Sequence, residues 1–379
     1  MELKKDWEIK KLGELTLDKM SYGTSSPSCE YDGETRYIRI TDINDNGSLN
    51  EDFVSPISYE EKHILQDGDI VFARTGATVG KAYCYHSSDE KYVYAGYLIR
   101  LRPNKKIVFP DYIYYYTKSY NYSKFIRTSQ AAAAQPNVNA EKYSNLGIPV
   151  PPLEEQKRIV KILDEKFAQL ETIKANAQTN LQNAKDLFQS QLTKDFNNTS
   201  WERKKISEIS ENLDSKRIPI TKNVRKAGQY PYYGASGIVD YVEDYIFDGK
   251  FLLVSEDGAN LLARTYPIAF IAEGKFWVNN HAHILSFKDE TTMRFVELFF
   301  SNLDISSFVT GMAQPKFNQA SLNNIEIPLP PLPEQKRIVE ELDTLSEKVR
   351  QLQEIYSKQI ANCADLKQSL LQKAFEGEL

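Results

Sequence analysis

Between Ile338 and Leu370, apolar side chains return at alternating spacings of four and three: Ile338, Leu342, Leu345, Val349, Leu352, Tyr356, Gln359, Cys363, Leu366 and Leu370. That is a heptad seam in which Gln359 is the polar break. The same register runs more weakly through Ile159, Leu163, Lys166, Leu170, Ile173, Ala177, Asn180, Ala184, Leu187 and Gln191. Paired prolines at 151–152 and 330–331 bar helix upstream, and Glu154, Glu155 and Glu334 suit the positive end of a helix that starts just after them. The spacing predicts two helices of about 40 residues, each about 60 Å long. A stripe this narrow cannot be buried by a lone surface helix. Pairing the two with each other is the economical solution, and a two-fold repeat would pair them antiparallel.

The seam is one sign of a larger duplication. Trp7-Glu-Ile-Lys-Lys-Leu-Gly-Glu-Leu15 returns as Trp201-Glu-Arg-Lys-Lys-Ile-Ser-Glu-Ile209. Ile148-Pro-Val-Pro-Pro-Leu-Glu-Glu-Gln-Lys-Arg-Ile-Val160 returns as Ile327-Pro-Leu-Pro-Pro-Leu-Pro-Glu-Gln-Lys-Arg-Ile-Val339. This second match begins at Gln135-Pro136 and Gln314-Pro315, and continues to Phe196 and Phe375. Residues 16–134 and 210–313 have little in common, so a variable segment followed by a shared helix is written twice. The expected division is 1–152, 153–196, 197–331 and 332–379.

Strand chemistry dominates the variable segments, as in Arg36–Ile43, Asp69–Ala73, Lys250–Val254 and Ile268–Ile271. Asn46-Gly47 and Asp248-Gly249 mark turns, and aromatic runs such as Tyr112–Tyr116 are expected in cores. The class is α+β: two β-rich domains separated by an antiparallel coiled coil of two long helices.

Composition narrows the function. The net charge is −5 over 379 residues, and no segment is strongly basic, so charge neither supports nor excludes DNA. The best basic patch is Lys216, Arg217, Lys222, Arg225 and Lys226. Three scattered cysteines, Cys29, Cys84 and Cys363, argue against a disulfide framework or zinc knuckle and fit a reducing cytoplasm. No apolar run is long enough to span a membrane or to serve as a secretory signal.

Catalytic and cofactor motifs fail one by one. Gly76-Ala-Thr-Val-Gly80-Lys81 is a residue short of a phosphate loop and lacks the hydroxyl after the lysine. The double prolines are flanked by Val150, Leu153, Leu329 and Leu332, which can neither hydrogen-bond nor stack on a flipped adenine. Pro110-Asp111 with Glu155-Gln-Lys157 formally fits a metal-nuclease signature, but the Glu and Lys fall on the long helix rather than a strand. His281 and His283 alternate like a metal pair without a cysteine to support them. The expectation is no catalytic residue, no metal and no cofactor.

Taken together, the motifs resemble the specificity subunits of type I restriction–modification systems over nearly the whole chain. The residues that carry it are the tryptophan-led opening, Gly68-Asp-Ile-Val-Phe-Ala-Arg-Thr-Gly76, Tyr230-Pro-Tyr-Tyr-Gly-Ala-Ser-Gly-Ile238, Glu256-Asp-Gly-Ala-Asn260, the Pro-Pro-Leu helix starts and Ser369-Leu-Leu-Gln-Lys-Ala-Phe-Glu-Gly377. The central helix is the less typical copy, ending Leu192-Thr-Lys-Asp-Phe196. The resemblance implies two target-recognition domains that read a split, asymmetric site in double-stranded DNA. It also implies two methyltransferase subunits docked on the helices, and motor–nuclease subunits that join for cleavage. The rival readings are a nuclease or modification enzyme with an unseen site, and a coiled-coil scaffold with carbohydrate- or protein-binding domains.

Phosphates need cations, and base edges need guanidinium or amide forks. On that basis the expected DNA contacts are Arg74, Thr75 and Lys81 in the first domain, and Arg217, Tyr233, Asn260 and Arg264 in the second.

Overall fold

Each variable segment closes its core with pieces of both long helices, which divides the chain into two units. One unit takes residues 1–177 and 358–379, the other 178–357. The computed structural model describes residues 4, 6–87, 90–130, 137–311 and 315–379. Gln135, Pro136 and Gln314, where the second repeat match begins, lie outside the described residues. The helices span Leu153–Phe196 and Leu332–Glu376, and the boundary between the units falls within each of them.

In the first unit four antiparallel strands lie in the order Ser21–Tyr22, Leu98–Leu101, Ile70–Ala73 and Ala82–Cys84. Ile70, Val71, Phe72 and Ala73 are all buried, because alternate residues serve two different cores. Ile70 and Phe72 face the core that the long helices complete; Val71 and Ala73 face a smaller core around Ile38, Tyr85 and Tyr94. The second unit repeats the device. Leu252 and Val254 of strand Phe247–Ser255 face the helix side, and Leu253 faces a core around Phe247 and Phe276. Its sheet has six strands, all paired antiparallel except Ala227–Gly234, which runs parallel to Ala269–Val278.

Local expectations meet mixed outcomes. Residues 36–43 form a strand only over Thr35–Ile38, after which the backbone turns at Arg39–Asp42. Asn46-Gly47 is a turn, with Gly47 at a φ of 84°. Asp248-Gly249 is not: the strand runs through it, and Gly249 (φ 140°) sits opposite Gly274 (φ 87°) in the ladder. Paired glycines let two adjacent strands bend together where a side chain would resist. The aromatic run 112–116 forms a helix, Pro110–Tyr116, with proline in its first turn.

Within the first unit the helices run antiparallel. Arg158 donates to the carbonyl of Leu379, and Lys367 pairs with Glu171. The start of the central helix (Ile159, Val160, Leu163) and the end of the C-terminal helix (Leu371, Ala374, Phe375) enter one core. Phe375 meets Tyr112 and Tyr116 edge-on at centroid distances of 5.2 and 5.0 Å. In the second unit Leu192 and Phe196 join Ile338 and Leu342, and Phe196 packs on Phe295 and Phe299 at 5.0 and 5.5 Å.

Part of the expected seam sits one residue off. Ile159, Leu163, Leu170, Ile338, Leu342 and Val349 are buried, while Leu345 and Leu370 are half-buried. Ile173, Leu187, Leu352 and Leu366 are 39%, 54%, 36% and 52% exposed. The less exposed positions are instead 167, 174, 181 and 188, mirrored by 353, 360 and 367. Lys174 and Lys367 lie among them, where a lysine stem covers apolar surface while its ammonium stays in water.

A buried glutamine fixes each helix start. Gln156 Oε1 accepts from the Phe109 amide (2.8 Å), and its Nε2 donates to the carbonyls of Ile107 (3.1 Å) and Pro151 (2.8 Å). Gln335 Nε2 donates to Pro330 O (2.7 Å), and its Oε1 accepts from Thr292 Oγ1 (2.9 Å). Replacing Gln156 by Ala leaves these buried partners unsatisfied and should lower unfolding free energy by about 2–4 kcal/mol. Gln335→Ala should cost less, since fewer partners are stranded. Urea denaturation of the two variants beside the parent checks both the size and the order.

Candidate nucleic-acid interface

Arg74 leaves the end of strand Ile70–Ala73, where the chain turns through Gly76–Thr78 into Ala82–Cys84. Its backbone is pinned on both sides: N–H to Tyr97 O at 3.1 Å, and C=O to the Val138 amide at 2.9 Å. The guanidinium lies 4.8 Å from the Tyr22 ring centroid and 5.8 Å from that of Tyr97. Both rings are exposed. Among the described residues Arg74 has no carboxylate partner, and its buried Nε has no hydrogen bond. A cation held between two exposed rings, with its fork uncommitted, suits a phosphate or a base edge. Beside it, Tyr97 lines a cleft of about 540 Å³ with Thr24, Ser25, Ser26, Arg39 and Thr41. Arg39 itself is paired with Asp42 (2.8 Å) and Asp52 (2.7 Å).

Thr75 continues the same edge through a bridge to Asn137. Lys81 does not join them: its Nζ lies 2.7 Å from Asp45 and donates to Ile43 O at 3.2 Å, bracing the 43–47 turn. The segment Gly76–Lys81, a residue short of a phosphate loop, is the end of a hairpin.

In the second unit the expected contacts are mostly occupied inside the domain. Arg217 Nη1 lies 2.7 Å from Glu256, and the same nitrogen donates to Ala282 O at 2.8 Å, while Nη2 is 3.4 Å from Asp214. Arg264 is in the left-handed region (φ 52°) and caps the helix Glu290–Asn302, donating to Phe300 O (3.0 Å) and to Leu303 O. Burial holds its guanidinium below the ordinary arginine value. Asn260 makes two 3.0 Å bonds to the Tyr266 backbone and so holds that loop, leaving the Tyr266 ring exposed. Tyr233 packs on Phe270 and Phe276, and burial raises its hydroxyl pKa. Of the basic patch, Arg225 pairs with Asp240 and Lys226 with Glu243, whereas Lys216 and Lys222 are exposed without an ion pair among the described residues. Sequence could not separate these roles, because a guanidinium that caps a helix and one that faces solvent look alike in a loop. Tyr22, Tyr97 and Tyr266 were missed for the converse reason: aromatic residues are common here and most are core.

The position equivalent to Arg74 in the second unit is Glu256, whose amide donates to His281 O (2.9 Å) and whose carbonyl accepts from Phe317 (2.7 Å). His281 stands where Tyr97 does, and bonds Asp257 at 2.8 Å; His283 is buried against Asp214 (2.5 Å) and Phe317 O (2.7 Å). The two histidines therefore serve different partners and form no shared metal pair. Burial pushes the Asp214 carboxyl up, but its hydrogen bond to His283 and the charges of His283 and Arg217 outweigh this and hold it below the usual range. The formal nuclease signature also separates: Asp111 faces His86 (3.1 Å) and Glu155 faces Arg158 (2.6 Å).

The family model for the type I restriction modification DNA specificity domain matches residues 4–182 and again 198–359. A Haemophilus influenzae protein named as type I restriction enzyme specificity subunit S.HindORF215P is 39% identical over 145 residues, 38% of this chain and 37% of that one. The MjaVIII specificity subunit of Methanocaldococcus jannaschii is 24% identical over 387 residues, covering 91% of this chain and 87% of its own. A chain from a structure of a type I R-M system, described for its complex assembly and conformational transition, superposes with a TM-score of 0.80 at 19% identity, covering 100% of both chains. With both repeats matched, the chain belongs to the type I restriction–modification DNA specificity family.

Proposed function

We propose that the chain reads a split, asymmetric site in double-stranded DNA, one part through each domain, and leaves the chemistry to partner subunits. As a specificity subunit it is the non-catalytic, DNA-recognising member of its enzyme. The observation that carries the division of labour is the contrast at one equivalent position: Arg74 between Tyr22 and Tyr97 in one domain, Glu256 paired with Arg217 in the other. An uncommitted cation at one site and a neutralised ion pair at the other favour unlike targets. In the first domain we assign contact to Arg74, Thr75, Tyr22 and Tyr97; in the second, to Tyr266, Lys216 and Lys222. Arg217, Tyr233, Asn260 and Arg264 act by positioning these surfaces.

Two methyltransferase subunits are the partners that fit a duplicated helix, with motor–nuclease subunits joining them. The apolar side chains left outside the seam support that reading. Leu187, Leu352 and Ile355 are exposed on the helices of the second unit, and Ile173 and Leu366 on those of the first. Large apolar side chains left exposed on a helix favour a protein partner. Among the described residues no helix is long and apolar enough to cross a membrane. With three free cysteines, the chain suits work in the cytoplasm, beside the chromosome.

Arg74→Ala should relax or abolish recognition at one half of the target and leave the other half unchanged. Arg264→Ala should instead lower stability by about 1.5–3 kcal/mol, since each charged hydrogen bond contributes on that order. Methylation mapping with the partner subunits present, beside thermal unfolding, separates the two; a map unchanged by Arg74→Ala refutes the contact.

Leu187→Glu with Leu352→Glu should leave the fold intact, because both side chains already face water. Co-purification of the methyltransferase subunit should fall by about tenfold or more, the effect of removing a modest interface anchor. Undiminished capture by the doubly substituted chain argues for docking elsewhere.

A further inference from the structure

Strand Ala82–Cys84 brings a thiol to the edge of the first core, and the alternation 82, 84, 86 carries the next side chain on that face, His86, out beyond the strand end. The first turn of the helix Pro110–Tyr116 sets Asp111 opposite. Cys84 Sγ, a His86 ring nitrogen and an Asp111 carboxylate oxygen all lie within 4.8 Å of one another, and His86 Nε2 is 3.1 Å from Asp111 Oδ1. We propose that these three residues bind a divalent transition ion of the zinc class, with a fourth position open to water.

The donor set and spacing fit. Zinc takes thiolate sulfur at about 2.3 Å, imidazole nitrogen at about 2.0–2.1 Å and carboxylate oxygen at about 2.0–2.2 Å, so the edges of a tetrahedral site measure about 3.4–3.6 Å. His86 and Asp111 are already inside that span, and the sulfur lies within 4.8 Å of both. On binding, the thiol proton leaves to solvent and sulfur forms the bond to the metal. The other Asp/Glu/His group, Asp214, Glu256 and His283, differs in this respect. Its carboxylates are taken by Arg217 and Lys316, so it already holds its cations. A metal at Cys84 ties the strand end to the helix that carries Tyr112 and Tyr116, the residues against which Phe375 packs.

The test uses the full-length chain, freed of metal with a chelator and titrated with Co²⁺. The expected result is one equivalent bound, tetrahedral d–d bands in the visible and a thiolate-to-cobalt band in the near ultraviolet, all displaced by Zn²⁺. Cys84→Ser should remove the thiolate band, and His86→Ala, at an exposed position that does not endanger folding, should weaken affinity by about tenfold or more. Spectra lacking a thiolate band, or cobalt affinity equal in the parent and His86→Ala, overturn the site.

Discussion

Neither globular domain can close its core with its own variable segment. Each core is completed by the first turns of one long helix and the last turns of the other: Ile159 and Leu163 with Leu371 and Phe375 in the first, Ile338 and Leu342 with Leu192 and Phe196 in the second. Burying these side chains stabilises a domain only if the helices run antiparallel, so one constraint fixes helix direction and domain closure together. It also accounts for the motifs shared at the two ends of each helix. The Gln-Lys-Arg start places a buried glutamine on the domain, and the terminal Phe meets aromatic side chains of the helix that follows the sheet. Residues 16–134 and 210–313 supply the other wall of each core, through Tyr112 and Tyr116 in one unit and Phe295 and Phe299 in the other, and are little alike elsewhere.

The repeat, the helices and the β-rich domains were legible in the sequence because each rests on periodicity, and periodicity is what packing imposes. The alternate seam positions were misread because apolar character was taken as the mark of burial. Lys174 and Lys367 lie on the seam by virtue of their stems, while Leu187 and Leu366 lie beside it. The two outcomes are equally compatible with a heptad read from composition. The site was less legible. Arg74 ends a strand and Arg264 ends the one-turn helix Asn260–Ala263, yet one guanidinium faces two exposed rings and the other caps a second helix. What decides between them is the location of orphan carbonyls at the end of Glu290–Asn302, a feature of packing and not of the local sequence.

The near-neutral charge that complicated a DNA-binding reading comes from the composition, 47 basic against 52 acidic side chains. Many basic side chains are neutralised within the chain, including Arg39, Lys81, Arg217, Arg225 and Arg337. Phosphates therefore meet no net positive field, and salt-dependent attraction to any duplex is correspondingly weak. On the proposed function, partner subunits supply much of the grip on DNA and this chain contributes selectivity through a small number of uncommitted groups.

The central claim is that each domain reads its own part of the target. Its most direct test exchanges residues 16–134 for the corresponding segment of another family member, keeps both helices, and maps methylated sites in cells that supply the partner subunits. The account predicts a new sequence in one half of the target, with the other half and the gap between them unchanged. A map in which both halves change, or in which an active hybrid keeps the parental site, would contradict it.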